Sequence, residues 1–95
     1  MRFAKLSIIV PVFNELATLS NVWRQMTYLK LPVGKELIWV DDGSQDGSRQ
    51  FLKKQQARQR ILNVKFVYHQ HNRGKGAAVA SGLAAQLLPV GALHR

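Results

Sequence analysis

Three short segments carry side chains whose types and spacing could do chemistry together. Phe13-Asn14-Glu15 offers an aromatic face and a carboxylate, Asp41-Asp42-Gly43-Ser44 two acids in a tight polar turn, and Arg73-Gly74-Lys75-Gly76 two cations set among glycines. An aromatic ring stacks on a base, a carboxylate accepts hydrogen bonds from a base N–H or a ribose hydroxyl, and cations at a glycine-rich helix start suit a diphosphate. Together they point to a nucleotide. Rival chemistries fail on particular residues. The loop from Pro11 to Glu15 contains neither the G-x-G-x-x-G of a dinucleotide fold nor the G-x-x-x-x-G-K-[ST] of a P-loop. Asp42 to Gly47 begins like a calcium loop, but its twelfth position is Lys53, where a bidentate glutamate is required. His69 and His71 alternate at a strand exit without acidic or cysteine companions, and read as polar loop residues, not metal ligands. There is no cysteine, so disulfides, thiolate zinc sites and thiol catalysis are excluded, and the composition fits a reducing compartment.

The elements that must position these segments follow from periodicity. Leu6 to Val12 is a β-branched run ending at a proline, and Glu36 to Val40 and Val64 to Tyr68 are two further buried strands. Between them, Leu16, Leu19, Val22, Trp23, Met26 and Leu29 recur at helical spacing. Ser48 is the expected cap of a second helix reaching about Arg60; glutamines in its apolar stripe place it on the surface. A third helix, from Gly74 to Leu83, is made of small residues suited to close approach to a sheet. Alternating strands and helices imply an α/β fold with right-handed crossovers and a Rossmann-like parallel sheet, the first strand beside the second and the second beside the third. Ligands of such sheets bind beyond the carboxyl ends of the strands, where all three chemical segments fall. Trp23 and Trp39, the two tryptophans, read as core.

The chain has 95 residues, enough for one domain, and its 14 Lys and Arg outnumber 5 Asp and Glu to give a net charge of +9. All acids precede Gly47, so the excess lies in the second half. That half keeps a rival reading open: a surface for nucleic acid or an anionic membrane, led by Arg49, Lys53, Lys54, Arg58 and Arg60. No recognised nucleic-acid motif accompanies these bases, and a specific nucleic-acid partner is not expected. The longest apolar run, Leu6 to Phe13, is far short of the ~18 residues of a membrane span. Met1 to Lys5 is basic, but no small-residue cleavage site follows, so a secretory signal is not expected.

Ser7-Ile8-Ile9-Val10-Pro11-Val12-Phe13-Asn14-Glu15, Val40-Asp41-Asp42-Gly43-Ser44-Gln45-Asp46-Gly47-Ser48 and Asn72-Arg73-Gly74-Lys75-Gly76-Ala77-Ala78 together closely resemble the N-terminal motifs of family 2 glycosyltransferases. Within that family the chain is most similar to polyprenyl-phosphate sugar transferases of the dolichyl-phosphate mannosyltransferase type. The resemblance implies the nucleotide-binding half of a GT-A fold, inverting transfer of a hexose such as mannose from a GDP- or UDP-sugar to an acceptor such as polyprenyl phosphate, and Mg2+ or Mn2+. It implies a nucleotide-sugar site of Pro11, Phe13, Glu15, Val40, Asp41, Asp42, Arg73 and Lys75. Asn14 belongs to the same motif. Asp42 would meet the base or ribose, and Arg73 and Lys75 the phosphates. Asp41 reads equally as a turn residue.

The resemblance covers residues 6–83 of a single domain spanning 1–95. Residues 84–95 diverge, as a truncated or frameshifted reading frame would, and no acid follows Asp46 to supply the family's Asp-x-Asp metal motif. The chain alone is therefore expected to carry no metal site and to be inactive. A cytoplasmic location at a membrane face is expected, with peripheral membrane contact and self-association through an exposed sheet edge.

Overall fold

A computed structural model of the chain describes residues 5–58 and 63–88. Arg60 and the divergent residues from 89 onward lie outside them. The order is β1 (Lys5–Val12), α1 (Leu16–Thr27), β2 (Gly34–Asp42), α2 (Ser48–Arg58), β3 (Val64–His69) and α3 (Lys75–Gln86). The strands form one parallel sheet in the order β1-β2-β3. Both are as the alternation requires.

Successive strand residues face opposite sides of a sheet, and this assigns every core residue. Val10, Val12, Leu37, Trp39, Val64 and Phe66 face α1 and α2, whose Leu19, Trp23, Phe51 and Leu52 close over them. Trp23 stacks on Trp39 with ring centroids 4.8 Å apart and lies 6.0 Å from Phe66. Both tryptophans are thus on this one face. Phe51 and Leu52 anchor α2, whose Lys53, Lys54, Ala57 and Arg58 are exposed. On the other face Ile38 and Val40 pack against Ala78 and Ala85 of α3. The small residues permit a close seat: a Cβ on Gly82 would stand 2.5 Å from Cγ2 of Ile9.

Two strands are longer than their apolar runs. β2 continues through Asp41 and Asp42, and β3 through His69, because these polar side chains are buried with partners instead of turning to solvent. Ser48 also departs from expectation. It lies inside the first turn of α2, and Asp46 accepts both its N–H at 2.9 Å and its hydroxyl at 2.7 Å. Under α3, Glu36 and Lys65 form a fully buried ion pair at 2.8 Å. Ser7 donates to Glu36 Oε1 and Lys65 donates to the Gln86 carbonyl at the end of α3. A buried pair gains little net stability over apolar residues, but removing either partner would strand the other charge. It ties three strands and a helix end together.

Gly82→Ala is expected to destabilise the fold by about 1–2 kcal/mol, since overpacking against Ile9 outweighs the helix-propensity gain of alanine. Chemical denaturation checks it; equal or higher stability would mean that Ile9 gives way freely.

Candidate functional site

Helix α1 begins without a side-chain cap of its own, so its first backbone N–H groups need acceptors from elsewhere. The β2–α2 loop supplies one to Leu16 and, with Ser48 of α2, supplies the two residues before the helix as well. Ser44 Oγ accepts from the Asn14 N–H at 2.9 Å, Ser48 Oγ from Glu15 at 3.1 Å, and Asp46 Oδ2 from Leu16 at 3.0 Å. Asn14 replies, its Oδ1 accepting from the Gln45 N–H at 2.8 Å. Asn14 has φ 50°, a left-handed conformation that asparagine tolerates better than most residues. The same loop meets the third one at Gly43, with φ 78°. A Cβ there would lie 2.5 Å from the backbone of His71 and Asn72, so only glycine lets the loops touch.

Asp42 joins the third loop more firmly. Its Oδ1 accepts from the Arg73 N–H at 2.8 Å and lies 2.8 Å from His69 Nδ1. Its Oδ2 accepts from the Gly74 N–H at 3.0 Å and the Asn72 side-chain amide at 3.1 Å. Burial opposes ionisation of Asp42, but the bonds from His69, Arg73 and Gly74 prevail and hold its carboxyl below the ordinary value of 3.8.

The neighbouring acid points the other way. Asp41 is buried on the α2 side, where its Oδ2 meets Arg49 Nε at 2.9 Å and the Ser44 N–H at 3.3 Å. Arg49 also donates to the His69 carbonyl and lies over the Tyr68 ring. Tyr68 is pushed above the ordinary phenol range by burial and then by the Asp41 charge, and it donates to Gln56 at 2.7 Å.

These bonds leave an open cleft of about 400 Å³ at the carboxyl edge. It is lined by Pro11, Val12, Phe13 and Glu15 from the end of β1 and the turn after it, and by Asp42, Asn72, Lys75 and Ala78. Phe13 is 44% exposed, which a core aromatic would not be. Its ring also borders a smaller pocket of about 240 Å³ beside Asn14, Gly43 and His71. Glu15 has an exposed carboxylate with no hydrogen-bond or ion-pair partner among the described residues.

Of the residues singled out from sequence, Pro11, Phe13, Glu15, Asp42 and Lys75 converge on the cleft. Val40 is buried against α3 and Asp41 under α2, so neither lines it. Arg73 reaches Asp42 through its backbone, and its exposed side chain is outside the lining. Sequence reasoning missed roles for Asn72, His69 and Ser81. His69 is a buried strand residue, not a loop residue, with Nε2 2.7 Å from Ser81 Oγ. Its signal was the sheet register, which sets it directly beside Asp42.

Among the described residues no three His, Asp or Glu side chains converge as a cation site. Glu36, Asp41, Asp42 and Asp46 are each committed to internal donors. These residues do not fit a divalent metal ion.

An open parallel sheet with alternating helices and a polar cleft at its carboxyl edge defines a Rossmann-like α/β fold. The family described as glycosyl transferase family 2 matches residues 7–86. The undecaprenyl-phosphate 4-deoxy-4-formamido-L-arabinose transferases of Salmonella paratyphi B and Salmonella newport are each 32% identical over 84 residues, covering 84% of this chain and 25% of theirs. Among solved structures, S. aureus TarS 1–349 superposes with a TM-score of 0.68 at 26% identity, over 85% of this chain and 24% of that one. The chain belongs to glycosyl transferase family 2. It spans about a quarter of the length of these relatives.

Asp42→Asn is expected to cost about 2–3 kcal/mol, because an amide must turn one donor against the donors of the loop. The pH dependence should change with it. A carboxyl held below its ordinary value in the fold contributes stability that is complete above about 3.8 and is lost as pH falls through the folded value. Acid unfolding monitored by circular dichroism should therefore be shallower in the variant; an unchanged acid limb would contradict the role given to Asp42.

Proposed function

We propose that the cleft binds the nucleoside-diphosphate part of a nucleotide sugar, as the donor site of a glycosyl transfer. The observation that carries this reading is an exposed Phe13 ring and the Lys75 cation in the lining of one cleft, where Asp42 is already engaged and Glu15 is free. The ring stacks on the base. Glu15, with its free carboxylate, accepts from the ribose hydroxyls or a base N–H. Lys75 and the N-terminus of α3 attract the diphosphate, and Arg73 adds charge at the lip. Asp42, whose four hydrogen bonds fill its oxygens, serves this site by holding the loop, and any contact with base or ribose would be made at its rim.

In the whole protein, the reading extends to transfer of a hexose, mannose being one candidate, from a GDP- or UDP-sugar to polyprenyl phosphate in cell-envelope glycolipid synthesis. The names of the Salmonella relatives support the acceptor class. Residues 1–95 are read as one domain, working at the cytoplasmic face of a membrane. Among the described residues no helix is long and apolar enough to cross one. The reading includes peripheral contact of this chain with the membrane through the exposed bases of α2. Self-association would use the free edge of β1 and the exposed Leu83 of α3. With no cation cradle among the described residues, the chain by itself is expected to bind donor without turning it over.

Calorimetric titration with GDP, UDP and their sugars at moderate salt tests the reading. Binding in the micromolar to millimolar range is expected, weakened about 10-fold by Phe13→Ala, since base stacking is worth about 1–3 kcal/mol. Lys75→Ala should weaken diphosphates and spare nucleosides. Absence of binding to every nucleotide at millimolar concentration overturns it.

A further inference from the structure

His69 and Ser81 do not line the cleft, yet His69 is bonded to Asp42, which does, and Ser81 is bonded to His69. The His69 side chain is 5% exposed, with Nδ1 2.8 Å from Asp42 Oδ1 and Nε2 2.7 Å from Ser81 Oγ. Since Asp42 is ionised, Nδ1 must carry a proton; in the neutral ring Nε2 is then the acceptor, and the Ser81 hydroxyl donates to it. The remaining donors to the same carboxylate all belong to the β3–α3 loop: Asn72, Arg73 and Gly74. One carboxylate thus stands between an imidazole fixed by α3 and the loop that precedes Lys75.

The composition Ser-His-Asp invites comparison with a nucleophilic triad, but the order relative to the cleft is reversed. Here the aspartate borders the cleft, and the serine is at the far end, on α3 and outside the lining. The chain of bonds serves geometry, not attack.

We propose that His69, held by Ser81, is the positioning residue of the diphosphate loop: it fixes the Asp42 carboxylate in the orientation that receives the Arg73 and Gly74 amides. Its effect on a ligand rests on the reading of the cleft as a nucleotide site, whereas its effect on the loop does not. Without the imidazole N–H, Asp42 Oδ1 lacks one donor and can rotate, and the two amides lose a fixed acceptor.

The 95-residue chain is compared with its His69→Leu, His69→Asn and Ser81→Ala variants. The side-chain amide of asparagine can take the place of Nδ1–H, so His69→Asn should restore what His69→Leu removes. Expected are an Nδ1–H tautomer in the imidazole 15N spectrum, faster amide exchange at Arg73 and Gly74 in His69→Leu, and about 10-fold weaker binding of UDP or GDP with nucleoside binding within about twofold. Protection at both amides unchanged in a folded His69→Leu chain, or an Nε2–H tautomer in the parent, overturns the proposal. So does diphosphate binding unchanged in His69→Leu. If the parent binds no nucleotide, the nucleotide reading fails, and amide exchange alone decides the positioning role. If His69→Leu does not fold, Ser81→Ala decides it by the same two amides: faster exchange upholds it and unchanged protection overturns it.

Discussion

Backbone N–H groups that the loops cannot satisfy internally are the constraint on which the carboxyl edge of this sheet depends. The start of α1 has no cap of its own, and the turn before α3 exposes two amides beside a buried strand end. In both places the acceptor is an aspartate from the β2–α2 region: Asp46 for Leu16, and Asp42 for Arg73 and Gly74. Each loop is completed by another some 30 residues distant, so none of the three holds its shape alone. The cleft is the space left between loops fixed in this way.

The same accounting gives the charge of the chain a different meaning. The excess of +9 is a property of the sequence, but three of the five acids that offset it are withdrawn from the surface. Glu36 is paired with Lys65, Asp41 with Arg49, and Asp42 with His69 and the loop. Arg49 and Lys65 are drawn inward in turn, and Lys53 lies over Tyr68 at 5.0 Å. The basic second half therefore offers fewer free cations than its composition implies. Among the described residues, those that remain divide between the outer side of α2, with Lys54 and Arg58, and the lip of the cleft, with Arg73 and Lys75.

Much of the fold was legible in the sequence because apolar runs and helical spacing are local signals. The strand order, the small-residue face of α3 and the placement of both tryptophans followed from them. The cleft was half legible: Phe13, Glu15 and Lys75 stand at strand and helix ends, where topology alone delivers them. Asp41 and Asp42 were not separable while the strand was taken to stop at Val40. Once β2 runs through both, the pleat must send them to opposite faces, one under α2 and one to the cleft. Lys65 and His69 escaped for the related reason that a charged or polar residue in a strand looks like an exposed one until its partner on the next strand is known. The bonds between loops are non-local, and no window of sequence contains both partners.

The tryptophan pair has a practical consequence for watching this protein in solution. Trp23 and Trp39 stack on the α1–α2 side of the sheet, while the cleft opens toward the α3 side. Neither indole lines the cleft, and the three-stranded sheet lies between them and α3. Their emission, and the coupled far-ultraviolet signal of two indoles in contact, will follow the loss of packing on one face and remain nearly silent to occupancy on the other. Fluorescence is thus a clean gauge of cohesion in this chain and a blind one for its ligand.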